Sequence, residues 1–307
     1  MLYKTSAAPA ASLEKPLALG QSLDASCYDS IRAAVRQLDF AAGLVPEIDA
    51  LNQLAQQRAQ PIVNACGHAI RFAAQYVNPA ALDYESQIFA SGIVPTRPNN
   101  IHDLFNALVW LTFPHTKAAI NGRHIAARAE NAGSRNRGPV QDALTLFDEC
   151  GVVVASDRPD LLEMITAFQW KKLFWKHRAA VKQHMRFFLF GHGLMEQMLA
   201  PYVGLTGKAL LLNIDTAWLE ASGPGPRPPR RPPSTSALLQ HIDASSRALT
   251  EWPRAIASAA SLSQGSDLAP LPLLGIPGWA PENETESYYD DAQYFRAGRR
   301  GAAKRDD

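Results

Sequence analysis

Between Asn100 and Pro114 the chain reads NNIHDLFNALVWLTF-P, and this run limits the fold more than any other. Asn100 is a favoured helix N-cap, and Asp103 falls three positions on, where a carboxylate suits the exposed N–H groups and the positive helix end. Pro114 closes the run by pushing Phe113 out of helical geometry. Inside these limits Leu104, Phe105, Leu108, Val109, Trp110 and Leu111 fall on almost every side of the predicted helix. A helix apolar all round has no solvent face, so the rest of the chain must wrap it. The run is also far short of the roughly 20 residues that cross a bilayer, so a core helix is expected and membrane insertion is not.

The flanks are read from periodicity and turn residues. Pro46 to Tyr76 predicts two helices, the second opened by Pro61, whose missing N–H costs nothing at a first helical position. A helix is expected over Thr116 to Arg128, and Asn131 to Pro139 is a loop by composition. Ala143–Phe147 and Val152–Val154 bracket Asp148-Glu149-Cys150-Gly151, which reads as a β-hairpin. A long helical region is expected from Pro159 toward His184, with Trp170, Leu173, Phe174, His177, Val181 and Met185 on one face. Met185 to Phe190 and Lys208 to Ile214 read as strands, with a turn at Gly191-His192-Gly193 leading into a short helix. Residues 237 to 262 look helical, and the Pro-rich stretch after them carries enough Leu, Ile, Trp and Tyr to be an arm laid on the body.

The expected class is therefore α+β, mainly helical with a small sheet that includes a hairpin near 143–154. Residues 1–16 are expected to be a flexible N-terminus, 17–295 one domain, and 296–307 a disordered tail. GPGPRPPRRPP marks a Pro/Arg-rich linker or insertion at 221–236. Hydrophobic residues make up 47% of the 307, enough for a sizeable core. The three cysteines are scattered without CxxC spacing, which argues against a disulfide framework or a cysteine-built zinc site. The N-terminus has no compact apolar run of the secretory type, so a cytoplasmic location is expected.

Chemistry concentrates between Gly92 and Gly151. His102 and Asn106 lie one helical turn apart on the same face of the apolar helix, so each needs a buried partner or a cleft. His192 sits where a strand ends and a helix begins, between two glycines that let the backbone approach a neighbour. Read as a strand, the second half puts Asp142 and Asp148 on one face. The expected catalytic set is His102, Asp142 and His192. Arg97, Asn106, His124 and Arg137 are expected to hold substrate, and His102, His192 and Asp148 to hold a divalent metal that activates water. No HExxH spacing and no GxSxG elbow is present, so the metal set depends on tertiary proximity.

The leading expectation is a hydrolase, metal-dependent, acting on a small-molecule or phosphate-bearing ligand. The net charge of +1 gives no global pull toward nucleic acid, but Lys171, Lys172, Lys176, Arg178, Lys182 and Arg186 have aromatic residues interleaved. A non-enzymatic nucleic-acid-binding role through that 171–186 face is the alternative, since such cations neutralise phosphates. An interaction or scaffold protein using the Pro-rich 223–233 segment is the third.

Several strings carry a resemblance. GIVPTR at 92–97, HDLFNALVW at 102–110, FP at 113–114, TKAA at 116–119, DALTLFDE at 142–149, Gly191-His192 and GIPGW at 275–279 together resemble the proteobacterial domain-of-unknown-function family 3025. The likeness extends over roughly residues 25 to 295. Ile101, where tryptophan is usual, and Cys150 after the acidic pair depart from the pattern. The family has no established activity, so the resemblance implies one family-wide domain and supplies no reaction, cofactor or catalytic residue.

Overall fold

The computed structural model describes residues 19–40, 45–74, 83–131, 136–221 and 262–298. Short helices α1 (Leu19–Ser22) and α2 (Arg32–Val35) precede α3 (Ile48–Gln56), β1 (Arg71–Ala74), α4 (Tyr84–Ser91) and β2 (Ile93–Thr96). The centre holds α5 (Ile101–Thr112), α6 (Pro114–Glu130), α7 (Pro139–Cys150), β3 (Gly151–Ser156) and α8 (Pro159–Thr166). A π-helical turn at Lys172–Lys176 leads to α9 (Arg178–His184), β4 (Met185–Leu189), α10 (His192–Gln197), β5 (Thr206–Asn213), α11 (Thr216–Ala221) and β6 (Ala269–Pro272). The fold is α+β, with a four-stranded sheet in the order β4-β3-β5-β6 and a separate parallel pair β1-β2. Strand β3 is parallel to β5 and antiparallel to β4.

Helix α5 is the buried axis. Asn100 caps it by accepting from the Asp103 N–H at 2.9 Å, and every residue from Asp103 to Leu111 is buried. Phe113 leaves helical geometry (ψ 53°) and Pro114 opens α6 as its first residue. Strand β3 is buried along its whole length, so its sequence GVVVAS reads as a continuous apolar run.

Three expectations give way. Residues 143–154 are not a hairpin: 139–150 form helix α7, and only 151–156 are strand. A five-residue apolar run does not distinguish helix from strand by itself; here Pro139 at the first helical position and the burial of Ala143, Leu144, Phe147 and Asp148 at helical spacing decide it. The second helix predicted after Pro61 is a bridge between Val63 and Ala69 followed by β1. The Asn64 side chain accepts from the Cys66 and His68 N–H groups and Gly67 takes φ +84°, so local turn chemistry wins over apolar spacing. The helical region after Pro159 is broken, with α8 ending at Thr166 and Phe168 at φ +56°.

The segment after Leu262 lies on the body as expected. Tyr289 and Tyr294 are buried, and the Tyr294 hydroxyl donates to the Leu205 carbonyl at 2.9 Å. The expected mobile N-terminus, the 221–236 linker beyond Ala221, most of the 237–262 helix and the 299–307 part of the tail lie outside the described residues.

Candidate metal centre

A cavity of about 760 Å³ opens over α5, and His102, Asn106, His124, Asp148, Glu149 and His192 are among its walls. His102 stands in the first turn of α5. Asp148 and Glu149 occupy the last turn of α7, and His192 opens α10. Two carboxylates in a last turn oppose the negative end of the helix dipole, so positive charge must be brought to them.

Asp148 has its own cation. Buried Lys117, from α6, donates to both of its carboxylate oxygens at 2.6 and 2.8 Å. Burial pushes the Asp148 carboxyl upward, but the Lys117 ammonium, helped by His192, outweighs this and holds it below the usual carboxylate range. Lys117 also lies 5.6 Å from the Trp110 ring centroid. With both oxygens occupied, Asp148 is not placed as the metal ligand expected of it.

Glu149 instead stands beside the two histidines. Its Oε1 is 3.5 Å from His192 Nε2 and 3.9 Å from His102 Nε2. One ligand atom from each of His102, Glu149 and His192 lies within 4.8 Å of the other two. The opposite ring nitrogens face other carboxylates: His102 Nδ1 is 3.0 Å from Glu196 Oε2, and His192 Nδ1 is 3.6 Å from Asp148 Oδ2. At His102 the Glu196 carboxylate favours the proton on Nδ1 and leaves the Nε2 lone pair facing Glu149, whereas His192 Nδ1 is buried without a hydrogen-bond partner among the described residues. Burial lowers the His192 pKa to about 4 against the opposing pull of Asp148, so the ring is neutral at pH 7, the form that ligates. Burial also pushes the Glu149 carboxyl up, with His102 acting against the shift.

The glycines around His192 explain how α10 comes so close. A Cβ on Gly191 would lie 2.5 to 2.6 Å from backbone atoms of Glu149, Cys150 and Gly151. On Gly193 it would lie 2.4 Å from Glu149 Oε2. The missing side chains let the helix start press against the end of α7.

The remaining expected site residues divide. Asn106 lines the cavity and donates to the Tyr84 hydroxyl at 2.6 Å, while its Oδ1 is buried and unpartnered among the described residues. His124 is buried in the wall, and burial drops its pKa to about 4. Arg97 is taken by Asp103, which accepts from its backbone N–H, Nε and Nη2 at 2.6 to 2.9 Å. Arg137 reaches Thr145 Oγ1 at 2.6 Å. Asp142 is exposed and does not line the cavity, because the cavity face of α7 is Gln141, Thr145, Asp148 and Glu149. Lys117 and Glu196 were not foreseen. Glu196 had a signal, since it follows His192 by one helical turn.

The basic 171–186 face is partly neutralised. Lys171 pairs with Glu286 and Asp290, and Arg178 with Glu284, all from the C-terminal arm. No helix among the described residues is long and apolar enough to cross a membrane.

No curated protein and no solved structure matches the chain. A family model does: it covers residues 70–299, three quarters of the sequence and every residue of the centre. The chain belongs to DUF3025, a family of proteins of unknown function.

Proposed function

We propose that the chain is a metal-dependent hydrolase acting on a phosphate-bearing substrate. The observation that carries this is the arrangement of the two imidazoles. Both Nε2 atoms turn toward one oxygen of Glu149, and the His102 Nδ1 is backed by the Glu196 carboxylate. Two nitrogens and one carboxylate oxygen suit zinc and leave a coordination position open, the pattern of hydrolytic rather than structural sites. With bonds of about 2.1 Å, ligand atoms stand about 3.0 to 3.4 Å apart, so the three side chains must close inward to complete the set.

A divalent ion held there supplies a water that is nucleophilic at neutral pH and draws charge from a phosphoryl oxygen. The protein residues supply the rest. Glu196 fixes the orientation of the His102 ring, and Lys117 keeps Asp148 ionised. Arg137 meets the anionic oxygens. In the reaction the water oxygen bonds to phosphorus, the bond from phosphorus to the leaving oxygen breaks, and that oxygen takes the proton the water gives up.

Elemental analysis of the purified protein tests the reading. About one zinc or similar ion per chain is expected, lost in Glu149→Gln and in His192→Ala together with hydrolysis of p-nitrophenyl esters of phosphate. A folded wild-type protein that takes up no divalent ion refutes it.

A further inference from the structure

We infer that the substrate is a phosphate diester, a monoanion, with its phosphate bridging the metal centre and Arg137. This deepens the hydrolase reading and rests on it.

Three arginines line the cavity, and two are already engaged by carboxylates: Arg97 by Asp103 and Arg128 by Asp83. Arg137 bonds a neutral partner, the Thr145 hydroxyl, and makes no ion pair among the described residues. Thr145 precedes Glu149 by four residues in α7, a rise of about 6 Å. The guanidinium is thereby fastened to the cavity face of α7 that also carries Glu149. A phosphate can bridge the two, with one oxygen on the ion and another accepting a charge-assisted hydrogen bond from the guanidinium.

Charge then selects among phosphates. The carboxylates that line the cavity or touch its lining are Asp83, Glu85, Asp103, Asp148, Glu149 and Glu196. Against these six stand four cations, Arg97, Arg128, Arg137 and Lys117, a net of two negative charges. A divalent ion brings the cavity to neutrality. A diester then leaves one surplus negative charge, whereas a monoester dianion leaves two. The ion-free cavity repels either ester, so anion binding must follow metal binding.

A second contact marks the ester's organic arm. Asn106 is buried in the same cavity one turn from His102, and its Tyr84 bond leaves one polar atom of the amide without a partner. A hydrogen-bonding group on the arm would supply the partner that the buried Asn106 Oδ1 lacks.

The test uses the full chain, stripped with chelator and reloaded with zinc, and titrates bis(p-nitrophenyl) phosphate and p-nitrophenyl phosphate by calorimetry while metal content is followed. The diester is expected to bind the loaded protein at least about tenfold tighter than the monoester and to lose binding after chelation. Arg137→Met should weaken diester binding roughly 10- to 100-fold, the loss of a hydrogen bond to a charged group, with metal content unchanged. Equal or tighter binding of the monoester, no diester binding, or indifference to Arg137→Met in metal-loaded protein overturns this inference and leaves the metal centre standing. Failure to hold zinc overturns both.

Discussion

Lys117→Met is the most informative single change. Methionine keeps most of the volume of the lysine stem and removes only the ammonium, so the Asp148 carboxylate stays buried without its cation. The pair is inaccessible on both sides, at 5% and 11% side-chain exposure, and both carboxylate oxygens use Lys117. Breaking one partner out of such a pair costs about 3–5 kcal/mol, mostly from the stranded charge. Lys117→Met/Asp148→Asn leaves no charge behind and should recover most of that loss. Equilibrium urea denaturation, with unchanged m, reads both values.

The pH dependence gives an independent check. In the wild type the folded Asp148 value lies below the unfolded one, so its stabilisation is present above about pH 4 and is lost as pH falls through the folded value. Without Lys117, burial alone acts and lifts the carboxyl. The variant is then penalised at neutral pH, and the gap to wild type narrows as pH falls. A loss under about 1 kcal/mol at pH 7, or a gap that does not change with pH, refutes the buried-pair argument.

Two further outcomes follow from the same geometry. Gly191→Ala and Gly193→Ala should separate: the first drives a methyl 2.5 to 2.6 Å from three backbone atoms and should lower Tm by many degrees, while the second meets chiefly the movable end of Glu149, with the Glu149 carbonyl oxygen at 3.2 Å. Gly193→Ala should therefore keep near-native Tm but lose about tenfold or more in zinc affinity by competition with a chelator; equal effects of the two would refute the assignment. His124 has a folded pKa of about 4 against 6.5 unfolded, so stability should fall as pH drops from about 6.5 to 4. His124→Gln should flatten that limb by up to roughly 3 kcal/mol, and an unchanged slope in denaturation series across that range would count against a buried neutral ring.

Where local chemistry dominated, the sequence was a good guide. Asn100 and Pro114 bounded α5 to within a residue, and Gly191-His192-Gly193 marked the strand-to-helix turn that holds one ligand. The acidic pair was harder. Read as a strand, 142 to 148 alternates and puts Asp142 with Asp148; as a helix, each residue turns about 100°, and Glu149 joins Thr145 on the cavity face instead. The change of period thus brings Glu149, rather than Asp142, to the two histidines. Lys117 lies in the apolar stretch Thr116–Ile120 and gave no local sign of its role, because its partner is 31 positions away.

The three ligands come from positions 102, 149 and 192, so no short stretch of the unfolded chain can assemble them. An ion that binds there selects the folded state alone and acts as a three-way cross-link over loops of more than forty residues each. Occupancy at a hundred times the dissociation constant would add about 2.7 kcal/mol to the whole domain. If the proposed ion binds, the thermal midpoint would rise with the concentration of free ion and fall when a chelator removes it.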